Sequence, residues 1–207
     1  NAKIMAIKTT RDTDPDQGVA YWPIGVVYAA QQGADIINCS FSGPTPSNLG
    51  RLVMSIAMNQ GSLVVAAAAN QGNDSLHYPA SYRRVLSVAA TDEEDKKATF
   101  STHNVMVDIS APGVNMHTTG IDRKYDDVQG TSFAAPLVAS VAALVKAVYP
   151  EYTFEQIREQ VRVSADYIDD LNLPYRNELG RGRLNAYQAI VTESPSVRIA
   201  DVYIEDD

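Results

Sequence analysis

Leu63-Val64-Val65-Ala66-Ala67-Ala68-Ala69-Asn70 is a run of seven apolar residues closed by an amide. A half-buried strand alternates apolar and polar positions. This run does not, so both of its faces are expected to be buried. The stretches at 35–39 and 85–89 carry the same Val, Ile, Leu and Ala bias. Short strands of this kind, separated by helical patterns, imply an α/β domain with a mainly parallel sheet flanked by helices.

Working outward, residues 3–8 read as a first strand. Residues 23–32 read as a helix with Pro23 in its first turn and Gly33 at its end, and residues 48–60 as a second helix closed by Gly61. Residues 107–109 and 114–117 look like short edge strands. Residues 131–149 form a long apolar helix that Pro150 stops. Thr153-Phe154-Glu155-Gln156 matches a capping box opening another helix, and 185–191 a short closing one. Residues 1–192 are therefore expected to form one unit. After Ser194-Pro195-Ser196 the tail alternates like a strand, so 193–207 reads as a linker or the start of a downstream β-rich segment, with a frayed terminus as the alternative.

The composition limits the function classes. The chain has 207 residues, 45% apolar and 20% charged, with a formal net charge of −8. The negative charge argues against nucleic acid or an anionic membrane surface as partner. No uninterrupted run of 18 apolar residues occurs, so no membrane span is expected. A single cysteine, Cys39, excludes an internal disulfide, and within Ile36-Ile37-Asn38-Cys39 it reads as a small buried hydrophobe. The chain opens on Asn1 with no leader pattern, as though it were part of a longer protein.

Gly130-Thr131-Ser132-Phe133-Ala134-Ala135-Pro136 carries the chemistry. Gly130 permits a close backbone approach, and Ser132 opens a helix whose free N–H groups favour developing negative charge. Pro136 is expected in the first helical turn, where its missing N–H matters little. Ser132 thus reads as a nucleophile, with a plain helix cap at Thr131 or Ser132 as the alternative. Asn70, at a strand end, is placed to donate to an oxyanion, or else to serve as a turn residue before Gly72. A serine nucleophile needs a base. Only His77, His103 and His117 are present, and none lies in a context that suggests one.

These segments together resemble the subtilisin-like serine proteases, the subtilases, from about Lys3 to Ala189. The stretch 130–136 is similar to the family's nucleophile motif and 65–72 to its oxyanion segment. Ile37-Asn38-Cys39-Ser40-Phe41-Ser42-Gly43, Tyr78-Pro79-Ala80, Ala111-Pro112-Gly113-Val114 and Gly180-Arg181-Gly182-Arg183-Leu184-Asn185-Ala186 match in order. The resemblance implies the three-layer subtilisin-like fold without its N-terminal strands. It makes Ser132 the nucleophile and Asn70 the oxyanion donor of an endopeptidase working through an acyl-enzyme. The family's Asp and His, in their own contexts, precede the region of resemblance, so no residue here is assigned to either role and this chain alone is expected to be inactive. Ala69 departs from a usual glycine.

By the same resemblance, a peptide or protein substrate binds as an added strand between a rail at Ser40, Phe41 and Ser42 and a second near Gly18. Ala67, Ala68 and Ala69 wall the primary pocket, where Ala69 removes room and implies a small or apolar preference. The loop Arg11-Asp12-Thr13-Asp14-Pro15-Asp16 hints at calcium, but Gln17 stands at the glycine position and no closing glutamate follows. No cofactor and no metal ligand is assigned, and the loop reads as a solvated acidic one. An upstream fragment or a second copy is the expected companion. Location is inferred from the family as secreted, periplasmic or envelope-associated. A non-catalytic subtilase-like binding domain is the competing reading. An α/β-hydrolase fails because no histidine follows Ser132, and the sedolisin relatives fail because Asn70 stands where they use an aspartate.

Overall fold

The apolar run becomes strand β2, Leu63–Ala67, and every one of its residues is buried. The structure is a computed structural model and describes residues 2–10, 21–120 and 124–193. β2 lies between β1 (Ile36–Cys39) and β3 (Leu86–Thr91), and β4 (Ile109–Pro112) follows, giving the order β1-β2-β3-β4 with all pairs parallel. The register sets Cys39 beside Ala66 and Ala67 beside Val88. The C-terminal ends of these strands carry the segments that concern function.

Helices α1 (Trp22–Gln31) and α2 (Asn48–Asn59) pack on each other, on β1 and on β2. Ser47 caps α2, accepting from Gly50 N–H at 2.9 Å. On the sheet lies α3 (Thr131–Val148), with α4 (Phe154–Val163) and α5 (Ala186–Val191) against it. With a mean hydropathy of 1.7, α3 is long and apolar enough to cross a membrane by length and composition. Its Ala134, Ala135, Val138, Ala142 and Val145 are fully buried in the core with Val64, Leu86, Val88 and Ile109, so it is the central helix of this domain. Small side chains at these positions let the helix axis approach the sheet closely. The capping box at Thr153 forms in both directions, to Gln156 N–H and from the Gln156 side chain.

Several expectations are corrected. Residues 3–8 form no strand, and Ile4 is 96% exposed. A strand propensity is realised only where a neighbour supplies the ladder, and none of the described strands pairs with this segment. The strand expected at 107–109 lies at Ile109–Pro112, the outer member of the main sheet. The one expected at 114–117 is β5, Met116–Thr119, which pairs antiparallel with β6, Tyr125–Val128. β6 was not expected, because the strand-disfavouring pair Asp126-Asp127 interrupts Tyr125 and Val128, and the segment gains its conformation from its partner. The closing segment runs beside β4: Ser110 N–H donates to Gly182 at 2.8 Å, and Leu184 N–H to Ser110 at 2.8 Å. The loop at 11–16 and the tail from 194 onward lie outside the described residues.

Candidate active site

Asn70 follows β2 on the same side of the sheet as the first turn of α3. Its amide oxygen accepts from Thr131 N–H and from Thr131 Oγ1, both at 2.9 Å. A backbone N–H can only donate, so this contact fixes which end of the amide faces the helix and turns Nδ2 outward. Asn70 is therefore more than a turn residue. Gly130 is the N-cap of α3 with φ +147, so neither Thr131 nor Ser132 serves as a side-chain cap. A Cβ built on Gly130 would lie 3.3 Å from Asn70 Nδ2 and 3.7 Å from Ser132 N. Asn70 Nδ2 and the Ser132 nitrogen, with the Phe133 ring at 3.6 Å, thus border the spot that a side chain at 130 would occupy, at the positive end of a helix.

Ser132 is half-buried at the second position of α3. Pro136 is the sixth residue of the helix, in its second turn and not the first, so its missing N–H leaves the Ser132 carbonyl without a ladder donor. Ser40 Oγ fills that role at 2.8 Å, and Ser132 Oγ in return donates to the Ser40 carbonyl at 3.2 Å. The Ser132 hydroxyl proton is held by a carbonyl, which cannot take it up.

The three histidines are engaged elsewhere or enclosed. His103 Nδ1 meets Glu178 at 2.7 Å, and His117 Nδ1 meets Asp127 at 2.8 Å. His77 is buried with its Nδ1 unpartnered. None of them hydrogen-bonds Ser132 among the described residues. Burial pushes the Cys39 thiol up to about 12, which keeps it a neutral hydrophobe at the end of β1. Among the described residues no group of three or more His, Cys, Asp or Glu side chains is placed to hold a metal.

Of the expected substrate contacts, Ser40 reaches Ser132, while Phe41 turns its ring to Trp22 of α1, with centroids 5.6 Å apart. Ser42 is exposed. Ala67 and Ala68 point into separate parts of the core, so only their backbone is available to a ligand. Ala69 is buried at 3% exposure with φ +94, a conformation that its methyl group disfavours. Gly18 lies outside the described residues. Sequence reasoning missed Thr131, whose signal was its place between Gly130 and Ser132. It missed the exchange of hydrogen bonds between Gly43 and Tyr78 that steadies the 40–43 segment: Gly43 N–H donates to Tyr78 at 2.9 Å and Tyr78 N–H to Gly43 at 2.8 Å.

The geometry of this site agrees with four similarities to known proteins. The model of the Subtilase family matches residues 1–188. The Thermostable alkaline protease of Halalkalibacterium halodurans is 39% identical over 179 residues, which is 86% of this chain and 49% of that protein. Thermitase of Thermoactinomyces vulgaris is 38% identical over 192 residues, 91% of this chain and 65% of that protein. The solved structure of the Patellamide maturation protease PatA superposes with a TM-score of 0.76 at 30% identity, covering 82% of this chain and 66% of that one. The chain spans about half to two-thirds of the length of these relatives.

Proposed function

This chain belongs to the subtilase family, and from that premise we propose that it forms one half of a divided serine endopeptidase site. Ser132 is the nucleophile and Asn70 the oxyanion donor. The observation that carries the proposal is the closeness of Asn70 Nδ2 and the Ser132 nitrogen to the same face of Gly130, 3.3 and 3.7 Å from where a Cβ would lie. When a serine attacks a peptide carbonyl, negative charge develops on the carbonyl oxygen. Donors already in place stabilise that charge without having to reorganise.

The substrate lies extended along Ser40, Phe41 and Ser42, with the backbone of 67–69 at the primary pocket and a small or apolar side chain favoured there. Opening the Ser40–Ser132 contact lets the Ser132 hydroxyl turn toward a base. The catalytic Asp and His are supplied from outside these 207 residues, either by an upstream fragment or by another chain. Alone, this chain keeps an ordinary, weakly nucleophilic serine. The enzyme acts in a secreted, periplasmic or envelope-associated setting. The contact between Ser132 Oγ and a carbonyl, with no base hydrogen-bonded to it among the described residues, favours the competing reading of a non-catalytic binding domain.

One experiment separates these cases. A fluorophosphonate is added to this chain alone and to the full-length protein, and each is read by intact mass. Labelling at Ser132 in the full-length protein only is the expected result. Labelling of the isolated chain overturns the divided site, and no labelling of the full-length protein favours the binding domain.

A further inference from the structure

We infer that Thr102 is the positioning residue of the turn that carries Asn70, gripping the chain on both sides of that amide. The inference rests on Asn70 acting as the oxyanion donor. Thr102 N–H donates to the Ala69 carbonyl at 2.9 Å, and Gln71 N–H donates to Thr102 Oγ1 at 3.3 Å. One residue thus holds the positions immediately before and after Asn70. What it holds is strained: Ala69 has φ +94, and a side-chain-bearing residue stays there only where its surroundings over-determine the backbone.

Thr102 is itself rigidly mounted. It is fully buried, and Ser101 beside it accepts from Ala90 N–H of β3 at 2.9 Å while donating to the Thr102 carbonyl at 3.0 Å. The buried Lys97 ammonium donates to the carbonyls of Ala98 and Ser101, both at 3.0 Å, closing the turn that precedes Thr102. Two further bonds extend the same seam: Gly72 N–H to Phe100 at 2.7 Å and His103 N–H to Asn73 at 3.0 Å. Gly72 permits this closeness, since a Cβ there would lie 2.9 Å from the Thr99 carbonyl. The turn bearing Asn70 is thus tied to the central sheet through Thr102. A valine would fill the same space and keep the bond to Ala69. It would leave Gln71 N–H without its acceptor.

The test compares Thr102→Val and Thr102→Ser in the full-length protein. With a chromogenic peptide amide, Thr102→Val is expected to lower kcat about tenfold with little change in KM, while Thr102→Ser keeps most of the parent rate. In an Asn70→Ala background Thr102→Val should lower kcat no further, because no amide remains to be aimed. An equal loss in that background, or a loss confined to KM, overturns the inference. Hydrogen exchange at the Gln71 amide is read in parallel and needs no activity. It should quicken in Thr102→Val but not in Thr102→Ser, and unchanged protection in Thr102→Val also overturns the inference. A parent protein that hydrolyses nothing counts against the endopeptidase reading, and the exchange experiment still decides the grip.

Discussion

Ser40 and Ser132, 92 positions apart, each give their hydroxyl to the other's main-chain carbonyl, at 2.8 and 3.2 Å. The exchange joins the segment after β1 to the first turn of α3. The Ser132 carbonyl is free to accept from Ser40 because Pro136 cannot donate to it from four residues on. A proline that reads as a helix irregularity thus creates the acceptor that binds two parts of the candidate site together.

That account makes the energetics of Ser40 depend on Pro136. Ser40→Ala should destabilise the domain by about 1 kcal/mol, the usual range for losing the partner of a part-buried carbonyl. In a Pro136→Ala background residue 136 regains an N–H, the helix ladder satisfies Ser132, and the effect of Ser40→Ala should largely vanish. Urea unfolding of the four variants measures the coupling. It is best run with Ser132→Ala throughout to prevent self-digestion, since the carbonyl under test belongs to the main chain. Equal losses in both backgrounds would show that Ser40 acts through something else.

The closeness of Asn70 Nδ2 and the Ser132 nitrogen to Gly130 predicts paired effects at Asn70 and Gly130. Asn70→Ala removes one donor and should lower kcat of the full-length enzyme by about a hundredfold or more with little change in KM, a general figure itself drawn from subtilisin. Gly130→Ala should be at least as damaging, because its methyl would sit 3.3 Å from Asn70 Nδ2 and because φ +147 strains any side-chain-bearing residue. Steady-state kinetics on one peptide substrate checks both. A Gly130→Ala enzyme with normal kcat is incompatible with the site as described.

Ala69 offers a stabilising change. Its positive φ holds about 1–2 kcal/mol of strain that glycine does not feel. Glycine in turn gains about 0.4–1 kcal/mol of freedom in the unfolded chain. Ala69→Gly should therefore raise stability by about 0.5–1 kcal/mol, measured by urea unfolding. It should also widen the proposed primary pocket, shifting cleavage from small toward larger apolar side chains in a peptide library. A strict preference for Arg or Lys in the parent enzyme would count against the pocket assignment.

The layering of the domain was legible because burial on both faces of a strand leaves its mark on every residue, as it does from Leu63 to Ala67. Ser132 and Asn70 were singled out for a different reason: each sits in a distinctive local string. Thr102 was not, because a threonine in a polar loop looks alike whether or not its hydroxyl meets a backbone 31 residues away. Residues 3–8 and 125–128 failed in opposite directions for one cause. A strand is a property of a pair, and the composition of a single segment does not say whether a partner lies beside it.

Lys97 makes stability depend on pH in a direction that can be fixed. Burial lowers its pKa below the ordinary 10.5. Between the lowered native value and 10.5 the unfolded chain binds a proton that the native chain does not, so stability rises with pH across that window. Below the window both states are charged and the desolvation penalty is present in full. Above it both are neutral and the penalty is gone. Lys97→Met has no such group, so the stability of the parent relative to Lys97→Met should increase as pH is raised from neutrality toward 10.5. Urea unfolding of the two proteins at a series of pH values, again with Ser132→Ala, reads this difference directly. A difference that stays flat or declines over that range would mean that the bonds from the ammonium to Ala98 and Ser101 outweigh its desolvation.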